Sequence, residues 1–150
     1  MASHDDATRA HVEEAADAGI VIAEFPTTLE AAEAARQFHM AVLGGAPNLV
    51  CGKSHSGNIS VGTLAATGLV DILSSDYVPA SLLHGAFVLH GNGVPLPDAI
   101  ATVTRTPALR VGLSDRGAIA SGLRGDLVRV RATPAGVIVV GVWRAGERVA

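Results

Sequence analysis

A chain of 150 residues, 49 % hydrophobic and 17 % charged with a mean hydropathy of +0.38, carries enough apolar surface to bury the core of one compact domain. Its formal net charge of -3 excludes the basic face that broad nucleic-acid or anionic-membrane binding requires, and no apolar run approaches the roughly 18 residues of a membrane span. The single cysteine, Cys51, cannot staple the chain internally and fits a reducing compartment; with His4, Asp5 and Asp6 where a leader would be basic, the expected location is cytoplasmic.

In chain order, "ATRAHVEEAADAG" places Val12, Ala15, Ala16 and Gly19 at helical spacing, with Asp6 or Thr8 able to cap its start. "IVIAEFP" is a short β-branched run stopped by Pro26. In "TTLEAAEAARQF", Thr27 and Glu30 are spaced as a capping box, which predicts a second helix. "MAVLGGAPN" reads as the next apolar strand, and "GAPNLVCGKSHSGNIS" as a glycine-rich loop. A helix over "SVGTLAATG" follows, capped by Ser60 and stopped at Gly68, and then the strand "LVDILSSD". "SLLHGAFVLHG" is helix-like. "PLPDAIATVTRTPALRVGL" predicts two short helices broken at Pro107, and the remainder predicts three short antiparallel strands with Gly or Pro turns. Arg124, Arg129, Arg131, Arg144 and Arg148 fall where such a sheet faces solvent.

Alternating helices and continuous apolar strands predict an α/β fold with a parallel sheet. His4, Glu24, Asn48 and Asp76 recur about one strand plus one helix apart, so each is expected at the carboxyl end of its strand. Those ends share one rim, where α/β folds bind ligands. Taken singly, each residue reads as a cap or turn residue; taken jointly, imidazole and carboxylate on one rim suit a divalent metal. In the loop that follows, Lys53, His55, two serines, Asn58 and bare glycine amides precede a helix start, which suits phosphate, although no Walker pattern is present and a solvated loop reads equally well. His11, His39, His84 and His90 read as surface or packing residues.

"TPALRVGLSDRGAIASGLRGDLVRV" resembles the carboxyl-terminal signature of the amidohydrolase superfamily. "SHDD", "AEFPTTLEAAEAAR", "GAPN", "KSHSGNIS" and "LSSDYVPASLL" together resemble one family within it, the diphosphatases of phosphonate catabolism that act on α-D-ribose 1-methylphosphonate 5-triphosphate in the carbon-phosphorus lyase pathway. The resemblance implies the C-terminal half of a metal-dependent (β/α)8 TIM barrel, residues 1–112, followed by an antiparallel β segment of a composite sandwich, residues 113–150. It implies that hydroxide attacks the triphosphate and pyrophosphate leaves, with a divalent metal, Zn2+ first, as cofactor.

By the same resemblance Asp76 is a metal ligand and the acceptor of the attacking water's proton, and His4 is a metal ligand. Glu24 stands where many members carry another histidine, which leaves its role open. Asn48, Lys53, Ser54, His55, Ser56 and Asn58 are implied to face the phosphates of a phosphorylated ribose phosphonate; Lys53 departs from the glycine expected before "SHSGN". A whole barrel takes about 250 residues, and the first-strand metal motif has no counterpart here. A chain carrying the amino-terminal half, or a second copy, is therefore the expected partner, with two open sheet edges and a bare apolar face driving association. A non-catalytic remnant that binds a phospho-sugar, or another amidohydrolase such as a deacetylase, is the alternative.

Overall fold

The computed structural model describes residues 1–54, 57–133 and 136–150. Four strands, β1 (Ala2–His4), β2 (Ile22–Glu24), β3 (Ala41–Gly45) and β4 (Ile72–Ser74), pair in parallel in the order β1-β2-β3-β4. The helices are α1 (Arg9–Asp17), α2 (Leu29–Gln37), α3 (Ala46–Cys51), α4 (Val61–Ala66), α5 (Ser81–Gly91), α6 (Leu96–Ala101) and α7 (Arg105–Arg110). A separate antiparallel sheet comprises β5 (Leu127–Thr133), β6 (Gly136–Arg144) and β7 (Glu147–Arg148). The parallel sheet is open rather than closed into a barrel. No helix among the described residues is long and apolar enough to cross a membrane.

Strand periodicity sorts the sheet into two faces. Ala23 and Val42 pack with Val12 of α1, the alanines of α2 and Leu64 of α4, while Leu73 packs with Ala46, Leu49 and Leu89 of α3 and α5. Ile22, Ala41 and Ile72 form their own cluster on the opposite face, joined by Leu43 and no helical residue. The expectation of a bare apolar face is corrected here. These three residues are only 8 %, 0 % and 3 % exposed, packed together across adjacent strands with Leu43 against them. The β4 edge is not bare either: the Leu73 N–H donates to the Thr102 carbonyl between α6 and α7.

Three local expectations are corrected. The Thr27–Glu30 capping box does not form. Thr28 caps α2, accepting from the Ala31 N–H, and Glu30 instead accepts from the N–H of Arg9, the first residue of α1. The stretch 46–51 is a helix, not loop: Pro47 sits in its first turn, where a missing N–H costs nothing, and Gly52 ends it at φ +68. Pro107 breaks nothing, since it precedes the first intrahelical donor of α7, Ala108; the interruption lies at 102–104.

At the sheet's other end Asp71 ties three elements together. Its Oδ2 accepts from the N–H of Val42, which is 0 % exposed, and its Oδ1 pairs with Arg36 of α2 at 3.1 Å. Arg36 also donates to the Gly68 carbonyl. Asp71→Ala leaves a buried donor unpaired, costing about 1–3 kcal/mol. The urea midpoint should fall accordingly, and Asp71→Asn, which keeps an acceptor, should recover most of the loss. Equal midpoints for wild type and Asp71→Ala would contradict this role.

Candidate functional site

Parallel pairing puts every strand's carboxyl end on one rim, and the loops leaving it are stitched in sequence. The Thr27 N–H donates to the Asp6 carbonyl and the Ile59 N–H to the Thr27 carbonyl, while the Thr28 hydroxyl donates to the Ala7 carbonyl. The strand ladder also runs one residue past β1 and β2, through Asp5 N–H to Glu24 O and Phe25 N–H to Leu43 O. Asp5, Phe25 and Asp76, at the ends of three strands, all hold left-handed backbone, with φ of 58°, 54° and 47°. Such conformations are uncommon for aspartate and a genuine outlier for a bulky aromatic residue.

His4 and Glu24 end their strands and pair in register, on the face that carries Ile22 and Ile72 rather than the helices. The His4 imidazole is exposed, lies 3.1 Å from the Asp5 carboxylate through Nδ1, and meets the Phe25 ring edge to face at 5.5 Å. Asp76 lies two residues beyond β4 at the same end of the sheet. Its N–H is held by the Ser74 hydroxyl, which is turn chemistry, but its carboxylate makes no hydrogen bond or ion pair among the described residues and lines a cleft of about 130 Å3. Asn48, Ser54 and Asn58 line the same cleft, with Phe25, Gly45 and Tyr77.

Asn48 lies within α3 rather than at a strand end. Its Oδ1 accepts from the Val61 N–H at 2.9 Å, and Ser60 accepts from the Thr63 N–H. Two of the amides opening α4 are thus satisfied internally, and Asn48 offers the cleft its amide nitrogen as remaining donor. Lys53 is exposed and outside the cleft lining. His55 and Ser56 lie outside the described residues. Glu24 and His4 do not line this cleft; His4 borders a separate opening with Asp5, Asp6, His11 and Glu14.

Among the described residues no three His, Cys, Asp or Glu side chains converge as a metal-holding group. The Phe25 ring neighbours both His4, at 5.5 Å between ring centroids, and Gly45, where an added Cβ would lie 3.6 Å from that ring and 3.9 Å from Asp76 Oδ2. The residues in hand therefore do not by themselves enclose an ion. Elsewhere, His84 packs against Gly136 and His90 bonds the Val94 carbonyl. Arg129 and Arg148 both lie over Trp143, at 6.0 and 5.9 Å, so these arginines serve their own sheet.

Phe25 is one of the cleft residues that sequence reasoning missed, with Gly45 and Tyr77. It precedes Pro26, which biases a residue toward extended backbone, so nothing local announced a left-handed turn. Gly45 carried a signal, as the second of two glycines ending an apolar strand.

A family model described as Amidohydrolase family matches residues 2–150. The α-D-ribose 1-methylphosphonate 5-triphosphate diphosphatase of Escherichia coli (strain K12) is 54 % identical over 152 residues, covering 99 % of this chain and 40 % of the relative. An amidohydrolase from Thermotoga maritima MSB8 superposes with a TM-score of 0.75 at 23 % identity, over 99 % of this chain and 43 % of that one. The β-aspartyl dipeptidase from Fervidobacterium islandicum AW-1, in complex with β-Asp-Leu dipeptide, superposes with a TM-score of 0.58 at 18 % identity, over 98 % and 38 %. The chain thus spans about two-fifths of the length of the curated relative it matches, and at these identities the solved structures speak for the fold alone.

Proposed function

Since the chain belongs to the amidohydrolase family, we propose that it forms the carboxyl-end rim of a hydrolase that cleaves a phosphoanhydride bond of a ribose phosphonate triphosphate and releases pyrophosphate. The supporting observation is the cleft in which the Asp76 carboxylate shares a lining with Asn48, Ser54 and Asn58, alongside 54 % identity to a diphosphatase of that substrate. Asp76 accepts a proton from water as the water oxygen bonds to phosphorus. The P–O bond to pyrophosphate breaks, and the bonding pair leaves with the oxygen. Asn48, Ser54 and Asn58 donate to phosphate oxygens whose charge grows in that step.

We also propose His4, Asp76 and Glu24 as donors toward a divalent metal, Zn2+ by preference, with further ligands from outside the described residues. Such an ion lowers the pKa of bound water and shields phosphate charge. The proton transfer assigned to this chain rests on Asp76. The competing reading, a phospho-sugar binder without turnover, draws on the lack of three converging metal ligands among the described residues.

Titration with pyrophosphate should shift the amide resonances of Gly57 and Asn58, in the loop hooked to the rim through Ile59. A flat response at millimolar ligand would overturn the phosphate role of this loop. Binding without pyrophosphate release, in a preparation with its metal ligands complete, would favour the binder.

A further inference from the structure

The cleft mixes two chemistries. Asn48, Ser54 and Asn58 supply hydrogen-bonding groups, Pro47, Ile59, Val61 and Leu64 add apolar lining beside them, and Phe25 with Pro26 supplies an aromatic wall on the loop after β2. A phosphate group needs no such wall; a carbon ring does. Phe25 is held at φ +54, a conformation that is strained for an aromatic residue and persists where the surroundings over-determine it. Its N–H is fixed to the Leu43 carbonyl and its ring is braced by His4. Opposite, Gly45 lacks the Cβ that would fill the space between the ring and Asp76 Oδ2, 3.6 and 3.9 Å away. The gap is therefore bounded by an aromatic ring, bare backbone and a carboxylate.

We propose that Phe25 is the specificity-determining residue of this cleft, its ring taking the C–H face of the sugar while the polar side takes the phosphates. This rests on the phospho-sugar reading above and assigns its sugar end. Aromatic rings offer apolar area at little cost in side-chain freedom, and the left-handed turn is what brings this one to the rim.

The test measures binding of ribose 5-phosphate, inorganic phosphate and pyrophosphate to the full chain by calorimetry or amide shifts. Wild type should bind ribose 5-phosphate at least fivefold more tightly than inorganic phosphate. Phe25→Leu should abolish that preference while leaving pyrophosphate affinity within twofold, which also certifies its fold, and Phe25→Tyr should retain the preference. Equal weakening of all three ligands in Phe25→Leu would make the ring a packing residue and overturn the proposal. Wild type binding pyrophosphate with no preference for the sugar would overturn it while leaving the phosphate site standing, and failure to bind any of the three would remove both.

Discussion

Asp76→Asn is expected to lower pyrophosphate release about 10²–10⁴-fold, the usual contribution of a positioned general base, with little change in melting temperature. The substitution isolates charge from structure. Asparagine tolerates left-handed backbone as well as aspartate does, so φ +47 is kept, and the Ser74 hydroxyl bonds the backbone N–H at 76 rather than the side chain. The carboxylate is exposed and makes no bond among the described residues, so its loss removes no internal contact, and exposed substitutions of this kind stay within about 0.5 kcal/mol. Asp76→Ala should lose the same activity and some stability besides, because alanine does not favour φ > 0. Retained activity in Asp76→Asn would show that another group takes the proton.

The second large effect is structural and lies beneath the same cleft. A Cβ on Gly44 would stand 2.8 Å from Val61 Cγ1 and 3.1 Å from Cγ2, closer than side-chain carbons approach. Val61 has no room to yield, being 6 % exposed with its N–H fixed to Asn48. Gly44→Ala should thus cost about 1–3 kcal/mol as an overpacked core, lowering the melting temperature by on the order of 5 °C in a chain of this size. Combining it with Val61→Ala should cost less than the two single losses together, as expected of directly contacting sites. Simple additivity would mean that β3 and α4 do not meet at this point. Because α4 follows the loop that carries Asn58, the substitution should also weaken pyrophosphate binding.

Strands and helices were legible where apolar period and caps agreed. Ser60 caps α4 by accepting from Thr63, and Gly68 turns left-handed just after it, as the sequence pattern predicts. The Thr27–Glu30 spacing misled because a capping box read from one helix takes no account of a neighbour. Glu30 is drawn to the orphan N–H of Arg9 by the packing of α2 beside α1, a tertiary contact that no local window contains. For α3 the signals were present, proline in the first turn and glycine after the last, but flanking glycines made the segment look like loop.

The candidate site divides in the same way. A common rim for His4, Glu24 and Asp76 follows from strand spacing alone, since parallel strands share their ends. What spacing cannot give is the direction of each side chain. Asn48 lies in the first turn of α3 and spends its side-chain carbonyl oxygen on the Val61 N–H, and Phe25 reaches the cleft through a backbone conformation that its place before Pro26 argues against.

The decisive measurement is 31P NMR of α-D-ribose 1-methylphosphonate 5-triphosphate incubated with this chain, alone and mixed with the preceding portion of the Escherichia coli relative, each with and without Zn2+. Pyrophosphate should accumulate with the matching 5-phosphate in the completed mixture, and Asp76→Asn in this chain should suppress it. Release of orthophosphate instead, or no cleavage in a mixture that folds and binds metal, would contradict the assignment of this rim to a diphosphatase.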